Sequence, residues 1–142
     1  MVDYKIIKID DNSHIKEFID GDREWYQNGL LHRLDSPAVE WPEGRKVWYQ
    51  NGLLHRLDGP AIECFNGTKV WYYNGKFHRL DGPAIEWING YKEWHQNGLL
   101  HRLDGPAVKY ADGKEEWYYK NKEIECSTQE EFEEIIKLRE FW

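Results

Sequence analysis

One distance governs this sequence: Trp25, Trp48, Trp71, Trp94 and Trp117 follow one another at 23-residue steps, with no insertion or deletion between them. Such regularity marks a repeat array, whose units each bury little alone and gain stability by stacking on their neighbours. The words around the tryptophans repeat too. Asn-Gly follows four of them, at Asn28-Gly29, Asn51-Gly52, Asn74-Gly75 and Asn97-Gly98, and Lys120-Asn121 stands there in the fifth copy, as suits a terminal repeat. His-Arg-Leu-Asp begins at His32, His55, His78 and His101 and leads into Gly-Pro-Ala, except that Ser36 replaces the first glycine. A second turn signal lies just upstream of each tryptophan, at Asp20-Gly21, Glu43-Gly44, Asn66-Gly67, Asn89-Gly90 and Asp112-Gly113, so the array starts near Ser13.

Asn-Gly and Asp-Gly between alternating residues favour the tight primed turns of antiparallel hairpins, because both central residues tolerate positive φ. Each repeat therefore reads as a hairpin. A two-residue turn at Asn66-Gly67 sets Ile62 opposite Trp71 and Cys64 opposite Lys69 on one face, and leaves Ala61, Glu63, Val70 and Tyr72 on the other. The Ile and Trp face is then the core. Pro37, Pro60, Pro83 and Pro106 open the first strands, where a missing N–H costs no ladder bond, and the stretch from each Asn-Gly to the next proline is connector.

Tyr4 to Ile9 adds a strand at the front. At the back, Thr128 is an N-cap with Glu131 three residues on, and Phe132, Ile135, Ile136 and Trp142 recur at helical spacing. This helix is expected to cover the last open edge or the apolar face of the sheet, which would otherwise template aggregation. The expected fold is all-β, an elongated antiparallel repeat sheet of roughly ten short strands with a C-terminal amphipathic helix. It reads as a single domain over 1–142, with an N-terminal strand in 1–12, five repeats in 13–125 and the helix in 126–142.

Composition narrows the function. A net charge of −7 disfavours a broad grip on nucleic acid or an anionic membrane, since both need excess Lys and Arg. No long apolar run offers a membrane span, and MVDYKIIKIDD lacks the pattern of a signal peptide, so a cytoplasmic location is expected. Cys64 and Cys126 are too few for a disulfide framework and lack zinc-module spacing. Eight Trp and nine Tyr in so polar a chain are unusual, and aromatics serve both core and recognition.

A 23-residue unit with Asn-Gly, a His four residues after the Asn, and an Asp-Gly turn as in YADGKEEWYYKN resembles the MORN repeat. It looks closest to the variant worded WYxNGxxHRxDGPA, which is related to the YwqK-type antitoxin repeats and met in phages and large DNA viruses. The resemblance covers Ser13 to Glu125. The glycine that MORN units place just before their tryptophan is absent, and HRLDGPA replaces the shorter His-Gly-x-Gly. The resemblance implies an elongated antiparallel sheet that binds proteins, itself or lipid head groups, and it implies no enzymatic activity.

HRLD has a ligand-like spacing, yet equivalent residues lie two strands apart, roughly 9.6 Å at about 4.8 Å per strand, too far to share an ion. No metal, cofactor or catalytic residue is expected, because identical copies make a row of side chains and not a converging pocket. Two readings of the motif remain. In one, Asp35, Asp58, Asp81 and Asp104 hold the connector turn through backbone N–H groups, while the His and Arg satisfy carbonyls or pair with those carboxylates. In the other, His55, Arg56, His78, Arg79, His101 and Arg102 grip an anionic, nucleotide-like ligand beside an aromatic ring. Tyr26, Tyr49, Tyr72 and Tyr118, opposite the tryptophans in this register, complete the candidate binding surface; His95 breaks that column. Glu40, Glu63 and Glu86 share the Tyr face as a solvated or interacting acidic stripe, with Lys109 in the fourth copy.

The sequence thus points to a non-enzymatic module that binds a protein partner, a phage or viral product acting on a host factor being one such case. A sequestering protein for a small anionic ligand and a structural homo-oligomer are the alternatives. Self-association as a homodimer is expected through the apolar face or through Phe141 and Trp142, where a symmetric pair of helix ends would form a dimer contact.

Overall fold

Two kinds of turn alternate along the chain. At Asn28-Gly29, Asn51-Gly52, Asn74-Gly75 and Asn97-Gly98 both residues take positive φ, 47–53° for Asn and 75–84° for Gly, as a two-residue primed turn requires. Lys120 and Asn121 do the same at 48° and 69°, so the fifth copy keeps the turn after losing its glycine. At the upstream signals only the glycine is left-handed: Gly21, Gly44, Gly67, Gly90 and Gly113 lie at 91–97°. There the Cys64 N–H donates to the Thr68 carbonyl and the Gly67 N–H to the Cys64 carbonyl, both at 2.9 Å, enclosing a three-residue loop. Asn66 Oδ1 accepts the Thr68 N–H at 3.0 Å, and Asp20, Asn89 and Asp112 repeat that bond.

The extra loop residue moves the register by one from the expected pairing. Ile62 faces Val70 and Glu63 faces Lys69, not Ile62 with Trp71 and Cys64 with Lys69. A one-residue slip exchanges every side chain between faces. Glu63 and Ala61 therefore share a side with the tryptophans, and the Val and Ile column lies on the other.

The computed structural model describes residues 3–139, which fall into two compact units. The first, Met1–Lys76, holds β1 (Tyr4–Lys8), β2 (Ser13–Phe18), β3 (Arg23–Gln27), β4 (Leu30–Leu31), β5 (Val39–Glu40), β6 (Lys46–Val47), β7 (Tyr49–Gln50), β8 (Leu53–Leu54), β9 (Ile62–Glu63), β10 (Lys69–Val70) and β11 (Tyr72–Tyr73). Its antiparallel main ladder runs β1-β2-β3-β5-β6-β9-β10, while β3 with β4 and β7 with β8 form side hairpins. β12 (Lys76–Phe77) falls where the units meet in sequence. The second unit, Phe77–Trp142, holds β13 (Ile85–Glu86), β14 (Lys92–Glu93), β15 (His95–Gln96), β16 (Leu99–Leu100), β17 (Val108–Lys109), β18 (Glu115–Tyr119), β19 (Lys122–Ile124) and the helix α1 (Gln129–Arg139). Its main ladder is β13-β14-β17-β18-β19, with β15 and β16 as the side hairpin.

The fold is thus antiparallel β with one C-terminal helix, but it has 19 strands among the described residues where about ten were expected. The tryptophan explains the doubling. Trp48 donates its N–H to the Ala61 carbonyl of the main ladder at 2.8 Å, while its own carbonyl accepts the His55 N–H of the side hairpin at 3.1 Å. Trp25 and Trp94 do the same with Ala38 and His32, and with Ala107 and His101. Trp48 and Trp94 are corners where one run of chain leaves the main sheet and enters a second ribbon, whereas β3 runs on through Trp25 with β2 beside it and β4 paired to its end; in each case the expected connector is itself a hairpin. Plain alternation does not hold across such a corner: Trp48 and Trp117 are buried, whereas Trp25, Trp71 and Trp94 are half-buried, like the neighbouring tyrosines.

Thr128 caps α1, accepting the Glu131 N–H at 3.2 Å, while the Glu131 carboxylate reaches back to the Ser127 N–H at 2.8 Å. Phe132 and Ile136 are buried against Trp117 and Ile124 of β18 and β19, with Cys126 and Ile135 packed at the margin. Phe141 and Trp142 lie outside the described residues. Because Phe132 is 0 % exposed, Phe132→Ala should cost about 3–5 kcal/mol in urea denaturation. A loss below about 1 kcal/mol would show that the helix is not seated on Trp117 and Ile124.

Candidate functional site

The arginine of HRLD is a hub. The Arg56 guanidinium lies 3.9 Å from the centre of the Trp48 ring, Nε donates to Asp58 at 2.9 Å, and Nη1 donates to the Pro60 carbonyl at 3.2 Å and to Glu63 at 2.8 Å. Arg102 sits 4.1 Å from the Trp94 ring and reaches Asp104 and the Pro106 carbonyl, and Arg79 reaches Asp81, the Pro83 carbonyl and Glu86. A planar cation on an aromatic face, held at its rim by carboxylates, gains from stacking and from charge-assisted hydrogen bonds together. The arginine hydrogen bond is also the chief reason that the Asp58, Asp81 and Asp104 carboxyls titrate below the usual range.

Glycine makes room for this arrangement. A Cβ on Gly59, Gly82 or Gly105 would stand 2.8–2.9 Å from the guanidinium carbon. Ser36 takes that place in the first copy. Arg33 there still covers Trp25 at 4.1 Å, but its approach to Glu40 lengthens to 3.6 Å, and among the described residues Glu40 is its one ion-pair partner. The aspartates of the later copies therefore secure the arginine, the pairing that the structural reading of the motif included. Glu40, Glu63 and Glu86 are not a solvated stripe on the Tyr face; the slipped register turns them to the tryptophan side, where the arginines take them.

The histidine joins one repeat to the next. Within the first unit the Asn51 N–H donates to His32 Nδ1 at 3.0 Å and the Asn74 N–H to His55 at 3.2 Å; within the second, Asn97 does so to His78 and Lys120 to His101. A backbone N–H can only donate, so Nδ1 accepts at His78 and His101; at His32 and His55 Nδ1 also meets the side-chain oxygen of the same asparagine, at 3.0 and 2.7 Å. Backbone bonds run alongside, from the Arg33 N–H to the Tyr49 carbonyl and from the Gly52 N–H to the Leu31 carbonyl. The turn of each repeat is thus clamped by the HRLD of the one before. The leucine takes no part in this bonding, and Leu34, Leu57, Leu80 and Leu103 are 66, 79, 75 and 55 % exposed.

In the second unit the row that carries Val47 and Val70 in the first carries Glu93 and Glu116 instead. Glu93 accepts from the Tyr91 hydroxyl and meets His95 Nε2 at 2.6 Å, and the His95 bond chiefly holds its carboxyl below the usual range. Glu116 accepts from Lys114 at 2.6 Å and from Tyr110 and Tyr118 at 3.1 and 3.3 Å. Burial, then these hydrogen bonds, push the Tyr91 and Tyr110 hydroxyls upward. Glu24 occupies the corresponding place near the N-terminus, where burial and then its bond to Tyr26 push that hydroxyl to about 12. Beside Glu93 opens a groove of about 460 Å³ walled by Trp87, Tyr91 and Tyr110 and edged by Asp112. Successive rings meet at 5.5 Å and at 60° and 66°.

Of the residues singled out from the sequence, His55 and His101 are buried and His78 half-buried; Arg56, Arg79 and Arg102 give Nε and Nη1 to the aspartate and proline of their own motif; Tyr26, Tyr49, Tyr72 and Tyr118 are half-buried. Sequence reasoning missed the exposed leucines and the Trp87 groove. The signal existed, since Trp41, Cys64, Trp87 and Tyr110 also keep the 23-residue step. Among the described residues, no group of three or more His, Cys, Asp or Glu is placed to hold a metal ion, and no helix is long and apolar enough to cross a membrane. No family model, no curated protein and no solved structure matches the chain.

Gly59→Ala should cost about 1–2 kcal/mol in denaturant, by lifting Arg56 off Trp48. Ser36→Gly should raise stability; if both substitutions are neutral, the glycine is not there for the arginine. His101 gives a pH test. Its pKa is lowered, by burial first and by Lys120 second, so its contribution is present above the unfolded value near 6.5 and lost as pH falls through the folded value. The urea midpoint should drop from pH 7 to pH 5 by less in His101→Phe than in the wild type, and identical slopes would refute the acceptor role.

Proposed function

We propose that the chain is a non-enzymatic repeat module that binds a protein partner through the leucines of HRLD. The observation that carries this reading is a division of labour inside the motif. The histidine clamps the next turn, the arginine covers the tryptophan, the aspartate secures the arginine, the glycine clears its path, and the alanines at 38, 61, 84 and 107 are wholly buried. The leucine faces water in all four copies. An isolated exposed leucine needs no explanation, but one repeated at a fixed place in successive copies gives each unit a regular apolar surface of the kind that protein partners cover. The arginines are poorly placed to grip a nucleotide instead, because an anion would have to displace Glu63 and Asp58 from Arg56, or Glu86 and Asp81 from Arg79.

Replacing Leu34, Leu57, Leu80 and Leu103 together by serine should leave the circular dichroism unchanged and shift stability by no more than about 0.5 kcal/mol per site. Affinity capture from an extract of the native source, with wild-type and variant bait compared by mass spectrometry, should then lose its specific partner. A folded variant that captures the same protein as the wild type would remove the leucines from the interface.

A further inference from the structure

The upstream hairpins carry an aromatic residue at one strand end in every copy but the second, which has Cys64, and, four residues on, the residue across the loop from it. In the first copy these are Trp41 and Arg45, and the Arg45 guanidinium lies 4.7 Å from the Trp41 ring. In the fourth they are Tyr110 and Lys114, whose ammonium lies 5.1 Å from the Tyr110 ring. Both hairpins therefore cap their own aromatic face with a cation. The third copy keeps the tryptophan, Trp87, but places Tyr91 where the cation stands. Trp87 is left 53 % exposed, and Tyr91 becomes a second wall of the groove that Tyr110 closes.

We propose that this groove receives the guanidinium of an arginine side chain from a partner protein. The chemistry is complementary on every side. Three electron-rich rings line it, Trp87 and Tyr91 without a cation of their own and Tyr110 with Lys114 on one side, and the hydroxyls of the two tyrosines are held by Glu93 and Glu116. Asp112 at the rim uses one oxygen for the Lys114 N–H, so the other can take a guanidinium N–H. The Trp41 and Arg45 pair displays the same contact made internally, which is why a guanidinium, and not an apolar group, fits Trp87. The inference rests on the protein-binding reading only for the source of the arginine; the groove itself is open to test without the leucine surface.

The probes are three short blocked peptides that differ at one residue, which is arginine, neutral citrulline or lysine. Titration of the full chain, followed by indole N–H resonances, should shift the Trp87 signal with the arginine peptide at millimolar concentrations, as expected for one cation on one aromatic site. Citrulline should bind at least tenfold more weakly. Trp87→Ala should abolish binding, read from the resonances of the peptide itself, and Asp112→Asn should weaken it severalfold. Tyr91→Arg, which recreates the first copy's internal cap, should keep the fold and lose the peptide. A flat titration, equal binding of the citrulline peptide, or binding that survives Trp87→Ala or Tyr91→Arg would each overturn the proposal, and preference for lysine would overturn its guanidinium part.

Discussion

The stack of an arginine on a tryptophan, seen at Trp25, Trp48 and Trp94, holds those repeats in shape. At Trp48 the chain must leave one ladder and enter another, and a change of ladder exposes backbone groups and breaks side-chain alternation. Arg56 closes that break from outside: its plane covers the indole, and its N–H groups tie the corner to the Pro60 carbonyl and Glu63. The aspartate and glycine exist for the arginine, and the histidine extends the same stretch to the next turn. An Arg-to-Lys change would keep the charge and lose both the plane and the fork.

A frame so fully specified by its own motif frees other positions to differ between copies. The row that reads valine in the middle of the first unit reads glutamate at Glu24, Glu93 and Glu116, and each glutamate is matched by a tyrosine hydroxyl. Half-buried carboxylates are tolerated there because hydrogen bonds from tyrosine, histidine and lysine replace water. The hairpins that present Trp41, Cys64, Trp87 and Tyr110 vary in the same manner, capped by a cation in two copies and open at Trp87. Chemistry particular to this chain should therefore be sought where copies disagree and, for the leucines, where they agree without structural need.

The charge pattern follows the same division. Arg23, Glu40, Lys46, Glu63 and Lys69 stand opposite one another across successive strands, so opposite charges alternate along the row. Each such pair is worth little in water, but like charges in those places would oppose the pairing. The row helps to select the observed register over the one-residue slip that the Asn66-Gly67 signal alone suggests.

Period, strand class, the helix with its Thr128 cap and the primed turns at Asn-Gly were all legible in the sequence, because each depends on residues within a few positions of one another. So was the structural weight of HRLD, although not the separate role of each letter. Tertiary structure decided the register, since the loop length at Asn66-Gly67 depends on whether Asn66 turns left-handed or uses its side chain to hold the Thr68 N–H, and the same two letters permit both. It decided the second ribbon, since a tryptophan at a corner is written like a tryptophan in a strand. It also decided which aromatic stays open, because whether Trp87 keeps a free face depends on Tyr91 across the loop and Tyr110 two strands away, contacts that only the folded sheet brings together.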